Sequence, residues 1–291
     1  MKISPLVLQS GLYQGGQYFN THDLDSLLRQ TQFVSDRSHS QGLDESFMNA
    51  YSVLCTLPEI TEVSNDSQNT YLTINNGTAH DVMLLQEPEY EPALYVDNTI
   101  YDAEHEDRFT FEGRTMLADT PFRMESYQCN MAALLQLGKW FDMLREQDVY
   151  DNTRIIIVAD HGFAMNQFED MIFGEDAGAK NLHHPEDVMA YNPLFLVKDF
   201  GSRGFHVDNR FMTNADAPIL ALAGLIDVPV NPFTGKYITN EAKDAEEHHI
   251  FNTSFNSPKD NNGNTFQPGS WYALSGQNVF DVSAWRSLGT Y

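Results

Sequence analysis

The stretch that decides the fold is Ile155-Ile156-Ile157-Val158-Ala159-Asp160-His161-Gly162. Its first five residues are apolar and mostly β-branched. An unbroken run of this kind predicts a strand that is buried on both faces, as in a parallel sheet. Residues 148–153 are polar and predict a loop, and apolar residues at helical spacing predict a helix at 128–146. A helix, a short loop and a buried strand form half of a βαβ unit, so the predicted fold class is α/β.

The acid and the histidine that follow this strand are the main candidates for chemistry. Ligands of open α/β sheets collect at the carboxyl ends of the strands, where Asp160 and His161 are placed. A carboxylate supplies charge and an imidazole supplies a neutral nitrogen, which together suit a divalent cation. Gly162 lets the backbone turn away at once. An Asp at a strand end is also a common helix cap, so the three residues alone leave a metal site and a structural role open.

Elements on both sides of this stretch extend the α/β pattern. Residues 193–197 repeat the buried-strand signal, and residues 217–223 predict a helix that ends at Gly224. Thr213 and Asp216 have the spacing of a helix N-cap with an acid three residues on. The remaining expectations are helices at 23–33 and 43–54, a strand at 71–74 and an irregular surface segment at 86–125.

Four blocks of the chain resemble the sulfatase and lipoteichoic-acid-synthase families of the alkaline phosphatase superfamily. The blocks are 137–144, 150–162, 191–197 and 211–225, and their order and spacing agree with those families. The resemblance implies an alkaline-phosphatase-like sandwich with a mainly parallel central sheet flanked by helices. It also implies that residues 1–240 form one partial domain, with 241–291 as its C-terminal extension.

The resemblance implies a metal-dependent enzyme that breaks phosphate or sulfate esters. In these families a Thr, Ser or modified Cys attacks phosphorus or sulfur, and divalent ions lower the nucleophile's pKa. Asp160 and His161 match the paired metal ligands of the motif. Mn²⁺ is the first expectation, with Mg²⁺, Ca²⁺ or Zn²⁺ as alternatives. The implied substrate is a glycerophosphate lipid or glycan. The implied location of the parent protein is the extracellular face of a membrane, to which it is anchored. The chain itself is expected to be soluble.

A second, partial match concerns His80. Residues 78–81 resemble the Thr-His-x-Pro position of lipoteichoic-acid-synthase-like enzymes, where a His contacts the transferred phosphate. Here Asp81 follows the His, and no Pro comes after it. His80 would donate to a phosphoryl oxygen or protonate a leaving alkoxide. A loop histidine without a catalytic role is the alternative. His183, His184, His248 and His249 are further candidates for the cleft or the surface.

The chain departs from the family where the nucleophile is expected. Cys55 is followed by Thr56-Leu57-Pro58, so it does not form the sulfatase Cys-x-Pro-x-Arg signature. Thr21 and Ser52 are the remaining, weakly supported hydroxyl candidates. We therefore expect a product that lacks the first third of the family domain, binds metal weakly and shows little turnover.

Composition limits the function classes. The 291 residues carry a formal net charge of −24, which repels nucleic acid and disfavours direct binding to an anionic membrane. The chain contains no run of 18 apolar residues, and its two cysteines allow at most one disulfide. Three alternatives to a phosphoglycerol transferase stay open: an arylsulfatase-like hydrolase, a degenerate surface scaffold and, less favoured without a Gly-rich phosphate loop, a nucleotide-binding protein.

Overall fold

The computed structural model describes residues 31–64, 69–163, 165, 168, 190–208, 211–231, 235–237, 247–252, 269–276 and 278–290. The chain divides into two compact units, Met1–Val149 and Tyr150–Tyr291. This division does not coincide with the predicted break after residue 240, and the assignment of 1–240 to one domain stays a prediction. None of the described helices has the length and apolar character needed to cross a membrane.

Two long helices organise the first unit, and both were predicted. The described helices of this unit are α1 (Glu45–Ile60), α2 (Thr99–Glu104) and α3 (Pro121–Glu146). Asp44 caps α1 by accepting a hydrogen bond from the Phe47 N–H at 2.8 Å. Thr120 caps α3, and Pro121 follows at its first turn, where a missing N–H costs nothing. The helix predicted at 23–33 lies mostly outside the described residues.

The strands of the first unit are short and antiparallel. They are β1 (Phe33–Val34), β2 (His39–Gln41), β3 (Tyr95–Asp97), β4 (Thr110–Phe111) and β5 (Arg114–Thr115). Strands β1, β2 and β3 form one sheet in that order, and β4 pairs with β5. The strand predicted at 71–74 is wrong, because these residues form no regular element and all four are exposed. Four apolar or β-branched residues in a row indicated a strand there, but none of the described strands pairs with them.

An extended segment without a strand partner lies in the core of this unit. Met83, Leu84 and Leu85 are fully buried; Met83 and Leu85 pack against side chains of α1 and α3, and Leu84 packs in a second cluster with Val96, Phe109, Ala118 and Met124. Side chains satisfy the backbone N–H groups that a neighbouring strand would otherwise bind: Gln128 Oε1 accepts from Leu85 at 2.8 Å, and Cys129 Sγ accepts from Met83 at 3.2 Å. The prediction that 86–125 is an irregular surface segment is wrong in part. Buried side chains within it are Tyr90, Val96, Asp102, Phe109, Ala118 and Met124.

A buried ion network joins two elements of this segment. Arg108 lies 2.9 Å from Glu87 Oε2 and also pairs with Asp102, and the side chains of Glu87 and Asp102 are 0% and 4% exposed. Burial raises the pKa of the Glu87 carboxyl, while the hydrogen bond from Gln128 and the charge of Arg108 oppose that rise. The network keeps two desolvated carboxylates paired with one cation.

The second unit contains both of the strands predicted around the candidate site. Its described elements are β6 (Ile155–Val158), β7 (Phe195–Lys198), α4 (Ala217–Leu222), β8 (Glu247–Asn252), β9 (Ser270–Ser275) and β10 (Trp285–Thr290). Strands β8, β9 and β10 form an antiparallel sheet whose buried face carries Tyr272, Leu274 and Trp285. Both units thus contain helices and strands, which agrees with the predicted α/β class but not with a specific arrangement of the sheet.

The pairing of β6 corrects the predicted sheet. Strand β6 pairs with β7 in the antiparallel direction, with Ile156 opposite Val197. Every pairing among the described strands is antiparallel, and a parallel central sheet is not present among them. The first three residues of β6 are half-buried and the fourth, Val158, is exposed, so the predicted burial of this strand on both faces is not observed. An apolar run indicates a strand, but the direction of its partner is set by a segment some 40 residues away.

Candidate metal centre

Arg154 fixes the start of β6 against the end of α4. Its Nη1 donates to the carbonyl oxygens at the C-terminus of α4, at 2.9 Å for Leu220 and 2.7 Å for Ala223. The carbonyls at a helix C-terminus carry its partial negative charge, so a guanidinium suits them. Arg154 Nε also donates to Asp199 at 2.9 Å. The N–H of Phe200 and then Arg154 lower the pKa of the Asp199 carboxyl.

The other end of α4 is fixed beside the residue that follows β6. A short 3-10 helix, Asn214–Asp216, leads into α4. The capping box predicted from Thr213 and Asp216 is confirmed, with Thr213 N–H donating to Asp216 Oδ2 at 2.7 Å. Asn214 Nδ2 donates to the carbonyl oxygen of Asp160 at 2.6 Å. Since Arg154 and Asp160 bracket β6, these contacts hold α4 antiparallel to the strand.

Asp160 and His161 present adjacent donor atoms directly after β6. Asp160 Oδ2 and His161 Nε2 lie 3.8 Å apart, and the two side chains are 90% and 60% exposed. The other carboxylate oxygen, Oδ1, accepts the His161 backbone N–H at 3.0 Å. His161 Nδ1 lies 2.5 Å from the carbonyl oxygen of Gly162. A carbonyl only accepts, so Nδ1 is the donor in this contact, and Nε2 is the ring nitrogen that faces Asp160.

This arrangement fits two ligands of one divalent cation. A cation about 2.1 Å from both atoms would subtend an angle of roughly 130° at their separation of 3.8 Å, so the two side chains would have to close slightly to reach a tetrahedral arrangement around the ion. The hydrogen bond from His161 Nδ1 to a backbone carbonyl is the contact that orients metal-binding histidines in general. Nearby, Asn214 Oδ1 is buried and has no hydrogen-bond partner among the described residues.

The set of ligands around this pair is incomplete in the described part of the chain. There, no three or more His, Cys, Asp or Glu side chains form a group that could hold a metal ion. His248 stacks on Phe211 at 4.0 Å between ring centroids, and its Nε2 is buried without a partner among the described residues. His249 is exposed and lies 2.9 Å from Glu247 Oε1. His183 and His184 lie outside the described residues.

His80 belongs to the first unit and is exposed. Its ring Nδ1 lies 3.3 Å from Asp81 Oδ1, and its backbone N–H donates to the Gly77 carbonyl at 2.9 Å. Asn76 holds this turn on α1 by donating to the Ala50 carbonyl at 2.8 Å. The ring is exposed to solvent with one nitrogen beside the Asp81 carboxylate, and the strand expected to precede it at 71–74 is not formed.

The nucleophile candidates of the first unit gain no support. Ser52 is exposed on α1 and donates to the Asn49 carbonyl at 2.9 Å, which is an ordinary contact for a helical serine. Cys55 and Cys129 are both free thiols, so the one disulfide that the sequence allowed is not formed. Burial raises the pKa of the Cys55 thiol, which disfavours the reactive thiolate. Thr21 lies outside the described residues.

Arg154 and Asn214 are the residues of this site that sequence reasoning did not assign a role. Both are polar residues next to predicted elements, Arg154 before the strand and Asn214 within the predicted cap. Their partners lie 66 and 54 residues away, at Leu220 and Asp160. The capping pattern at Thr213 was the one signal that could have directed attention to Asn214.

In comparisons with known proteins, no protein-family model, no curated protein and no solved structure matches this chain. The family resemblance therefore depends on the four sequence blocks, and the function has to be argued from the geometry around β6.

Proposed function

We propose that this chain is part of a metal-dependent phosphoryl- or sulfuryl-ester hydrolase or transferase, most like a lipoteichoic-acid-synthase-type phosphoglycerol transferase. Asp160 and His161 are two of the ligands that hold the divalent cation, with Mn²⁺ as the first candidate. The single observation that supports this most is the 3.8 Å separation of Asp160 Oδ2 from His161 Nε2 at the end of β6. When bound, such a cation neutralises the non-bridging oxygens of the ester and activates the nucleophile.

The finer parts of the proposal come from the family resemblance. They are an alkaline-phosphatase-like sandwich, a glycerophosphate lipid or glycan as substrate, and a parent protein anchored at the extracellular face of a membrane. His80 is proposed to donate a hydrogen bond to a phosphoryl oxygen, for which its exposed ring is suited. The charge of −24 supports a cation-assisted reaction, because an anionic ester is otherwise repelled by the protein.

A specific observation favours a second candidate function, that of a degenerate family member acting as a surface binding module. Within the described ranges, no third acid or histidine joins Asp160 and His161 in a metal-binding group. A two-ligand site holds a cation more weakly than the three or four protein ligands that catalytic metal centres usually have. An arylsulfatase-like hydrolase stays an alternative within the first proposal.

Manganese binding to the 291-residue chain tests the metal centre. Free Mn²⁺ is followed by electron paramagnetic resonance during a titration of the protein. We expect Asp160→Asn to weaken Mn²⁺ binding by about 100-fold or more. This is more than the loss that is typical for residues that only hydrogen-bond to a metal ligand. Asp227→Asn removes the same charge from an exposed residue of the same unit and should leave the affinity unchanged. Equal affinities for both variants would refute the metal centre, and no binding at all would favour the surface module.

Ester recognition is tested on the manganese-loaded protein. Glycerol phosphate should change the spectrum of bound Mn²⁺ more strongly than a sulfate ester if the phosphoglycerol assignment is right. A stronger effect of the sulfate ester would favour the arylsulfatase-like alternative.

A further inference from the structure

We infer that Asn214 is a positioning residue that holds Asp160 in its ligating orientation, an inference that rests on the proposed metal centre. The contact is the hydrogen bond of 2.6 Å from Asn214 Nδ2 to the Asp160 carbonyl oxygen, across 54 residues of sequence. It ties the cap of α4 to the residue directly after β6. Through this bond the backbone of Asp160 is fixed by a folded element outside its own turn.

Asp160 needs such an anchor because little else fixes it. Its side chain is 90% exposed and accepts a hydrogen bond from the backbone N–H of the next residue, His161. Because this hydrogen bond joins two adjacent residues, it does not fix residues 160–162 relative to the rest of the unit. Metal ligands have to be held within about half an ångström of their binding geometry by surrounding contacts. The Asn214 amide supplies a contact from outside the turn.

The donor itself is rigidly placed. Thr213 and Asp216 form the capping box on either side of Asn214, and Asp216 is buried. Capping fixes the backbone at the start of the 3-10 helix, so the Asn214 side chain projects from a defined position. At the far end of α4, Arg154 holds the helix to the start of β6. The amide therefore meets Asp160 through a helix that is held at both ends.

Asn214 also carries a cost that a purely structural residue would avoid. Its Oδ1 is buried and has no hydrogen-bond partner among the described residues. A buried polar atom without a partner destabilises a protein by about 1–3 kcal/mol. Alanine at this position would remove that atom. Buried polar atoms without a partner are expected mainly at functional sites. At Asn214 the functional atom would be Nδ2, which donates to the Asp160 carbonyl.

Two variants of Asn214 and two controls test the inference on the 291-residue chain, with Mn²⁺ as the probe. Asn214→Ala removes the whole amide, and Asn214→Asp keeps its shape but has no N–H to donate at neutral pH. Both should weaken Mn²⁺ binding by about 10- to 100-fold, as loss of an outer-sphere partner does. Asn152→Ala and Asn152→Asp make the same changes at an exposed residue beyond the opposite end of β6, and they should stay within about twofold of the parent. The spectrum of bound Mn²⁺ should also change in the Asn214 variants, since the carboxylate is reoriented.

The outcomes separate this inference from the proposed function. If the parent protein binds Mn²⁺ through Asp160 and both Asn214 variants bind equally well, the positioning role is overturned and the metal centre stands. If Asn214→Asp binds more tightly than the parent, the side chain acts as a ligand and the positioning role is again overturned. If the parent protein binds no Mn²⁺, the metal centre and the inference fall together. A loss of affinity confined to variants with an unfolded far-ultraviolet circular dichroism spectrum would also overturn it.

Discussion

Replacement of Glu125 by Gln is expected to stabilise the first unit at high pH and to leave it unchanged at low pH. Glu125 lies on α3 and is 9% exposed. Burial, and to a smaller extent the nearby charge of Asp44, raise the pKa of Glu125 from 4.5 to about 7. The folded protein therefore keeps a proton on this carboxyl over a range in which the unfolded chain has lost it.

The sign and the size follow from this difference. Below pH 4.5 the carboxyl is neutral in both states, and its burial carries no charge penalty. As the pH rises through about 7 the folded protein also loses the proton, and the stability that the neutral form contributed is lost. Because one pH unit corresponds to about 1.4 kcal/mol, the rise from 4.5 to about 7 predicts a penalty of roughly 3 kcal/mol. Glu125→Gln removes that penalty.

Urea unfolding of both proteins between pH 4 and 8.5 measures the effect. The circular dichroism signal at 222 nm reports mainly on α1 and α3, the two long described helices, which both lie in the first unit. The stability of Glu125→Gln minus that of the parent should rise from near zero to roughly 3 kcal/mol across this range. Glu146→Gln, at the exposed end of the same helix, is the control and should give a flat difference. A flat difference for Glu125→Gln as well would refute the argument.

Two further substitutions test the core of the first unit. Arg108→Met leaves the buried carboxylates of Glu87 and Asp102 without their cation, so urea unfolding at pH 8 should show a loss of about 3–5 kcal/mol that shrinks at pH 5. A loss that does not change with pH would contradict the role of the charges. Phe47→Ala empties a fully buried site and should cost about 3–5 kcal/mol, whereas Phe33→Ala, at a side chain that is 69% exposed, should cost less than about 0.5 kcal/mol. Similar losses for the two phenylalanines would refute the assigned core.

The elements predicted correctly are those whose signals are local. Both long helices of the first unit were expected, because their apolar residues recur at helical spacing. Strands β6 and β7 were expected from their unbroken apolar runs, and the cap at Thr213 from the acid three residues on. In each case the residues that determine the element are neighbours along the chain.

The errors concern elements that depend on a distant partner. The run at 71–74 has the composition of a strand but pairs with none of the described strands, while Met83 and Leu85 are buried and have their N–H groups bound by the side chains of Cys129 and Gln128. Strand β6 pairs with β7 in the antiparallel direction. Local patterns predicted where β7 lies along the chain, but they do not determine which way it runs beside β6. Composition alone could not distinguish these outcomes, because the free energy that decides them comes from contacts formed only on folding.

The amino-acid sequence by itself determined that a strand is followed closely by Asp160 and His161, because a run of β-branched residues predicts a strand from neighbours along the chain. Only the tertiary structure decided what surrounds that pair. The hydrogen bond from Asn214 to Asp160 and those from Arg154 to α4 join residues that are more than 50 positions apart. Such contacts arise from how helices and strands pack, and side-chain periodicity along one segment carries no information about them.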